Sequence, residues 1–378
     1  MKPLLSIIIP TKDRYITLIP VLKAIYLDFK DKNVEFIIQD NTNDNLEVLQ
    51  FLNDLNCEKI KYFHEPTSLP ITQNCDLAIK NSIAKYVIMI GDDDYILPSI
   101  TDAVLYMEKN EIECLNSNTA DYYWPDLTFK FQTKASKSDS LMINKPIKKE
   151  FININPIDEL NKVIKSGGTN FYNLPRLYHG IVKREVLDKI FDKCQTFFPG
   201  LSPDMANSSA LAIFTKKFSI YNFPFSISGK SPKSAGGMGV NHKHTGDLNK
   251  KEFLDKKLLM HWDKKIPYFW TGDTIYAQSL FHSLKSCDYK GTINYNKLYA
   301  HLFIFERRSL LREMKPVKSS IISNPLNFLI IFYWSLYFFI TRVFNYGLRN
   351  FFPQKKYIIY EKVNSIEKCV KKIEIINC

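Results

Sequence analysis

Over the first hundred residues the chain alternates between apolar runs and segments of helical spacing. Leu4 to Ile9 (LLSIII) is a continuous apolar run, as expected of a strand buried on both faces. Pro10-Thr11-Lys12-Asp13-Arg14 ends it, and Leu18, Leu22, Ile25 and Phe29 then recur at helical spacing. Val34 to Ile38 (VEFII) predicts a second strand leaving through Gln39-Asp40-Asn41-Thr42-Asn43-Asp44. A helix carrying Leu46, Leu49, Leu52 and Leu55 follows, then a short strand at Ile60 to Phe63. A helix containing Asn74, Leu77, Ala78 and Ile79 leads into a fourth strand at Val87 to Ile90. Repeated strand–helix units predict a doubly wound, mostly parallel α/β sheet with helices on both faces. Ligands of such sheets lie at the carboxyl ends of the strands. Thr11 to Arg14, Asp40 to Asp44 and Asp92 to Asp94 all fall there.

Beyond Pro98 the pattern predicts a helix from Ile100 to about Lys109, an aromatic strand over Ala120 to Phe131, and a helix over Asn155 to Lys165. A strand at Leu177 to Val182, a helix from Arg184 to Ile190 and another from Met205 to Phe214 follow. Ser226 to His244 gathers Gly, Ser, Lys and His and reads as a flexible loop able to close over a ligand. Within it, His242 or His244 could complete a metal shell, and Lys230 or Lys233 could meet phosphate. His179 reads as a packed or acceptor-contacting residue. From Asp247 the chain turns helical, with Leu254, Leu258, His261 and Trp262 on one period and Tyr276, Leu280 and Leu284 on another. Asn327 to Phe344 is then apolar and aromatic, broken only by Ser335 before Thr341 and Arg342. That is borderline for a spanning helix, which needs about 20 residues. Its Tyr and Trp suit a membrane interface, with a buried helix or an oligomer contact as the alternative.

Composition sharpens this picture in three places. With 378 residues, 45% hydrophobic, there is material for one large domain plus appendages or for two domains. The net charge of +12 is concentrated late: Phe305 to Cys378 holds 13 Lys and Arg against 5 Asp and Glu. Such a tail suits nucleic acid or an anionic membrane surface. The seven cysteines are scattered without a C-x-x-C pair, which argues against a disulfide framework and a zinc site and for a reducing cytosol. Met1-Lys2-Pro3 runs straight into the first strand, so no cleaved leader is expected.

The densest chemistry is Gly91-Asp92-Asp93-Asp94, directly after the fourth strand. Three adjacent carboxylates repel one another, and burying them requires a counter-charge. At this place in an α/β sheet a hard cation such as Mg²⁺ or Mn²⁺ supplies it. No G-x-G-x-x-G follows the first strand and no P-loop occurs, so dinucleotide and P-loop readings lose their support.

SIIIPTKDR, IIQDNTND, the Asn74 helix and VIMIGDDDYILP together resemble the family 2 glycosyltransferases of the GT-A fold, closely over about the first 100 residues and loosely over the next 130. The resemblance implies that Thr11, Asp13, Arg14, Asp40, Asp44, Asn74 and Asp92 serve the nucleotide-sugar, and that Asp93 and Asp94 lie nearest the metal. Gly91 departs from the pattern, since many members carry Asp there. The resemblance also implies an acidic general base before or inside a helix, and Asp204 matches that place; Ser202 or Asp204 is equally a good N-cap.

The organisation expected is a nucleotide-sugar-binding half (1–110), an acceptor-binding half with the flexible loop (111–245), a helical extension (246–320) and an aromatic, basic, membrane-associating tail (321–378). The function implied is an inverting, metal-dependent transfer from a nucleotide-sugar to a glycan or polyprenyl-linked acceptor in bacterial surface-polysaccharide synthesis. The enzyme would sit on the cytosolic face of the plasma membrane, with no nucleic acid partner. Two other classes fit less well. A nucleotidyltransferase of related fold would need glycines that PTKDR lacks, and a non-catalytic scaffold would keep the fold without turnover.

Overall fold

The computed structural model describes residues 2–129, 133, 137–240, 245–352 and 356–377. Its strands are β1 (Leu5–Thr11), β2 (Val34–Asp40), β3 (Ile60–His64), β4 (Tyr86–Met89), β5 (Tyr95–Ile96), β6 (Cys114–Tyr123), β7 (Ser140–Asn144), β8 (Phe151–Ile154), β9 (Gly180–Lys183), β10 (Phe218–Lys230) and β11 (Tyr357–Glu361). Helices α1 (Tyr15–Asp28), α2 (Leu46–Leu55), α3 (Ile71–Lys80) and α4 (Ile100–Asn110) alternate with the first strands. Next come α5 (Pro156–Lys165), α6 (Arg184–Cys194), α7 (Pro203–Phe214) and α8 (Ala235–Val240). The later helices are α9 (Lys256–Met260), α10 (Gly272–Ser286), α11 (Tyr295–Phe305), α12 (Arg307–Leu310), α13 (Lys315–Ser323), α14 (Leu326–Phe351) and α15 (Ile366–Asn377).

The sheet runs β11-β7-β6-β9-β4-β1-β2-β3, with β10 beside β6 and pairing also with β5 and β8. β3, β2, β1 and β4 are mutually parallel. The antiparallel β9 separates β4 from β6, which restores the common direction, and β10 and β11 share it. Side chains alternate across the strands. Ile7, Ile9, Phe36, Ile38, Ile88 and Ile90 enter one core with α1, whereas Ile8, Ile37, Val87 and Met89 enter another with α3, α6 and α7. Covering both faces explains why these strands read as unbroken apolar runs. Thr11 pairs in register with Asp40, so the polar exits of β1 and β2 lie side by side.

Four expectations need correction. The aromatic strand is Cys114–Tyr123 and not Ala120 to Phe131; Pro125 lacks a ladder donor, and Trp124 turns its indole N–H onto the Asp93 carbonyl at 3.0 Å. Residues 130 and 131 of the expected strand lie outside the described residues. The Ser226 to His244 loop is only partly a loop, because 226–230 belong to β10 and 235–240 form α8. His242 and His244 lie outside the described residues. Of the helix proposed through Leu254 and Trp262, only Lys256–Met260 is helical. The 321–378 tail divides in two: α14 stands exposed, but β11 pairs antiparallel with β7, and Val363, Ile366, Cys369, Val370 and Ile373 enter the core that holds β1.

Candidate functional site

The exits of β1 and β4 and the end of β10 meet around the acidic triplet. Asp92, Asp93 and Asp94 are all buried. Thr11 Oγ1 donates to Asp92 Oδ2 at 2.6 Å. Arg14, at the start of α1, reaches back so that Nη1 lies 2.8 Å from Asp92 Oδ1 and Nη2 2.8 Å from Asp93 Oδ1. Nη2 also donates to Ser231 Oγ, while the Ser231 N–H donates to Asp93 Oδ2 at 3.0 Å. Burial raises the Asp92 and Asp93 carboxyls above the usual range against the pull of Arg14. One guanidinium therefore does not balance this pair.

Asp94 is differently placed. Its Oδ1 accepts from the Gly229 N–H at 2.7 Å. Its Oδ2 accepts from the Gly91 N–H and the Tyr178 hydroxyl, both at 2.6 Å, and lies 3.2 Å from His179 Nε2. Burial pushes this carboxyl up, but His179 and the donors outweigh it and hold it below the usual range. Both oxygens are thus engaged by protein donors, contrary to the expectation that Asp94 stands nearest a metal. The same geometry accounts for Gly91: a Cβ there would lie 3.0 Å from Asp94 Oδ2 and 3.3 Å from Asp93 Oδ1, so a further Asp would crowd the triplet.

Of the other expected nucleotide residues, Asp40 is fully buried and accepts from Tyr15 at 2.5 Å, Tyr62 at 2.8 Å and the Thr42 N–H at 2.8 Å. It braces the floor of the crevice. Asn74 bridges the ends of β1 and β2 through the Thr11 and Gln39 carbonyls, at 3.5 and 3.3 Å. Asp13 is exposed in left-handed backbone (φ 57°), its N–H on Thr42 Oγ1. Asp44 makes an Asx-type bond to the Leu46 N–H at 3.1 Å. Asp13, Arg14, Thr42, Asp44, Ser231 and Lys233 line one open cavity of about 780 Å³. Lys230 instead pairs with Asp121 at 2.8 Å.

Asp204 lies in the first turn of α7, after Pro203 at the helix start, where a carboxylate is favoured by the helix dipole. Among the described residues its side chain has no hydrogen-bond partner. Burial lifts its pKa to about 6, against His179 and Arg176 and with Asp94. Those neighbours place Asp204 at the same crevice as the triplet. Ser202, the alternative cap, makes no side-chain capping bond.

Sequence reasoning missed Tyr178, Arg176, Gly229 and Ser231, and took His179 as a packed or acceptor-contacting residue without its link to Asp94. Local signal existed for one of them: a Cβ at Gly180 would meet the Arg176 carbonyl at 2.1 Å, so the His179-Gly180 pair marks a tight turn. His179 itself takes φ 60°, unusual for a residue with a Cβ.

A parallel sheet whose strand exits collect buried carboxylates beside an open polar cavity defines an α/β ligand-binding fold of the GT-A arrangement. Residues 6–198 match the sequence profile of Glycosyl transferase family 2, and the chain belongs to that family. A Rickettsia conorii protein described as an uncharacterized glycosyltransferase is 32% identical over 111 residues, 28% of this chain and 17% of the Rickettsia protein. The match thus spans about a sixth of that protein's length. Among solved structures, S. aureus TarS 1-349 is similar at 13% identity and TM-score 0.42, over 82% of this chain and 88% of that one. TarS 1-349 in complex with UDP-GlcNAc is similar at 14% and 0.42, over 61% and 59%.

Proposed function

We propose that the chain transfers a sugar from a nucleoside-diphosphate sugar to an acceptor hydroxyl, with inversion at the anomeric carbon. The observation that carries this reading is Asp204: a carboxylate without a hydrogen-bond partner among the described residues, lifted by burial to a pKa of about 6 and within electrostatic reach of His179, Arg176 and Asp94. A base needs a pKa near the working pH and a free lone pair, and Asp204 has both. It takes the acceptor proton as the hydroxyl attacks. The nucleotide occupies the cavity of Asp13, Thr42 and Asp44, and its diphosphate lies towards Arg14.

A divalent cation fits this chemistry. Among the described residues no three His, Cys, Asp or Glu side chains are grouped to hold a metal unaided. Mg²⁺, however, is commonly bound by one or two carboxylates together with substrate phosphates. Asp92 and Asp93, undercompensated by Arg14, are the residues that would hold it, while Asp94 positions the loop. A bound cation supplies charge neutralisation for the departing nucleoside diphosphate.

The acceptor in this reading is a glycan or lipid-linked glycan of a bacterial surface polysaccharide, met at the cytosolic face of an anionic membrane. The support is α14, long and apolar enough by length and composition to cross a bilayer, with only 6% of its apolar stretch buried.

The test is release of nucleoside diphosphate from a panel of nucleotide-sugars, with and without Mn²⁺. Cation-dependent release from one donor supports transfer. Tight donor binding without any turnover would instead leave a non-catalytic binding protein.

A further inference from the structure

Helix α14 is turned inside out. Its polar and mixed positions face the protein: Asn327 Oδ1 accepts from Asn296 at 2.7 Å, Lys297 sits 3.7 Å over the Trp334 ring, and Phe338 packs edge-on to His301. Arg342 donates to the Ile304 carbonyl at 2.6 Å. Successive partners rise together along both chains, so α14 lies parallel to α11 along its length. The outward face carries Phe332, Leu336, Phe339 and Val343, exposed by 62, 51, 55 and 57%. A soluble monomer rarely shows so continuous an apolar stripe.

The structure also fixes which way the chain leaves this helix. Twenty-six residues make a helix about 39 Å long. From Phe351 to the start of β11 at Tyr357 there are six residue steps, which reach at most about 21 Å when fully extended. A hydrocarbon core is about 30 Å thick. A spanning α14 would therefore drag β11 into the bilayer, away from β7 and from the core that Val363, Ile366 and Val370 complete. Lys297 and His301 of α11, packed against α14, would also have to enter the hydrocarbon with it, where charged and polar side chains are costly.

We propose that α14 is a monotopic anchor: it lies in the plane of one leaflet, apolar face down, with both of its ends and the catalytic crevice on the same side. The partner is an anionic lipid surface, because Arg307, Arg308, Arg312, Lys315 and Lys318 precede the helix. Such basic clusters are drawn to anionic headgroups. The inference rests on the membrane reading above and replaces an open choice between spanning and lying with one topology.

Two measurements test it on the full-length protein. Flotation with phosphatidylglycerol-rich vesicles should carry the protein upward, and neutral vesicles should carry less. Replacing Phe332, Leu336, Phe339 and Val343 together by Gln should cut partitioning at least about 100-fold, because four large apolar side chains then no longer enter the lipid. Nucleotide affinity should stay unchanged. Spin labels are then placed at Phe328→Cys, Leu336→Cys and Val343→Cys, with Cys57, Cys194 and Cys378 changed to Ser, and their depth is read from oxygen and nickel accessibility. Equal shallow depth at all three sites confirms the in-plane helix. A deepest middle site with shallow flanks would overturn the topology while leaving membrane binding intact. No flotation, with a dimer seen by sedimentation, would overturn membrane binding itself and make a second copy the occupant.

Discussion

Arg14 Nη2 and Asp93 Oδ1 stand 2.8 Å apart, and the same guanidinium holds Asp92 through Nη1. In the proposed reaction this ion pair lies where the donor's diphosphate and its cation would meet. Arg14→Ala should therefore destabilise the ligand-free protein by about 3 kcal/mol, the cost of leaving buried charges uncompensated. Millimolar Mn²⁺ should restore more melting temperature to this variant than it adds to the wild type. Equal responses in thermal unfolding would remove the cation from Asp92 and Asp93.

Asp93→Asn keeps the volume and loses the charge. Stabilisation by nucleoside diphosphate plus Mn²⁺ should fall sharply, with the ligand-free fold little changed. Unaltered metal dependence in a calorimetric titration contradicts the assignment.

Asp204→Asn should reduce transfer by roughly 10²–10⁴ while donor affinity stays near wild type. In the wild type kcat/KM should fall as pH drops through about 6, because the base becomes protonated there. The variant should lack that limb. Its folded pKa lies above the unfolded value of about 3.9, so the stability linked to this group is present at low pH and lost as pH rises through about 6. Asp204→Asn should then melt no lower than wild type above that pH. A variant that loses donor affinity and transfer together would make Asp204 a structural or donor-binding residue.

Gly229→Ala places a Cβ 1.7 Å from the Asp93 carbonyl oxygen and 2.9 Å from Trp124 Nε1. The backbone of β10 must move, and with it the N–H that holds Asp94. We expect a loss of about 1–3 kcal/mol, the usual size for overpacking, together with weakened donor binding. A crystal structure of the variant with Asp94 unmoved and full donor affinity would contradict this.

Deleting residues 357–377 should not yield a soluble catalytic domain. Val363, Ile366, Cys369, Val370 and Ile373 leave the core, at about 1.5–3 kcal/mol for each large apolar residue, and β7 loses its outer neighbour. The deleted protein should aggregate, or should melt far lower, in circular dichroism. A cooperative transition at the wild-type temperature refutes the role of this segment.

The parallel half of the sheet was legible because strands buried on both faces write their signal in consecutive residues, as in LLSIII and VIMI. The triplet was legible for a related reason: three carboxylates in a row have few uses inside a fold. Their division of labour was not. Asp94 is saturated by Gly229, 135 residues away, and by Tyr178 and His179, 84 and 85 positions away. No local pattern encodes such contacts. The end of β10 was hidden by its own composition, since SISGK looks like a loop until Gly229 is seen to touch Asp93. β11 was obscured by the aromatic helix before it, and its partner lies more than two hundred residues upstream. The place of Asp204 could be read; its missing partner and lifted pKa could not.

The return of β11 to β7 also orders events during synthesis. Strands β1 to β10 and the whole of α14 leave the ribosome before Tyr357 does, so β7 waits as an open edge while the apolar helix is already in reach of lipid. An open edge is a hazard for wrong pairing. On the anchoring proposed above, α14 meets lipid before β11 closes the sheet, and the enzyme would be completed at the membrane surface.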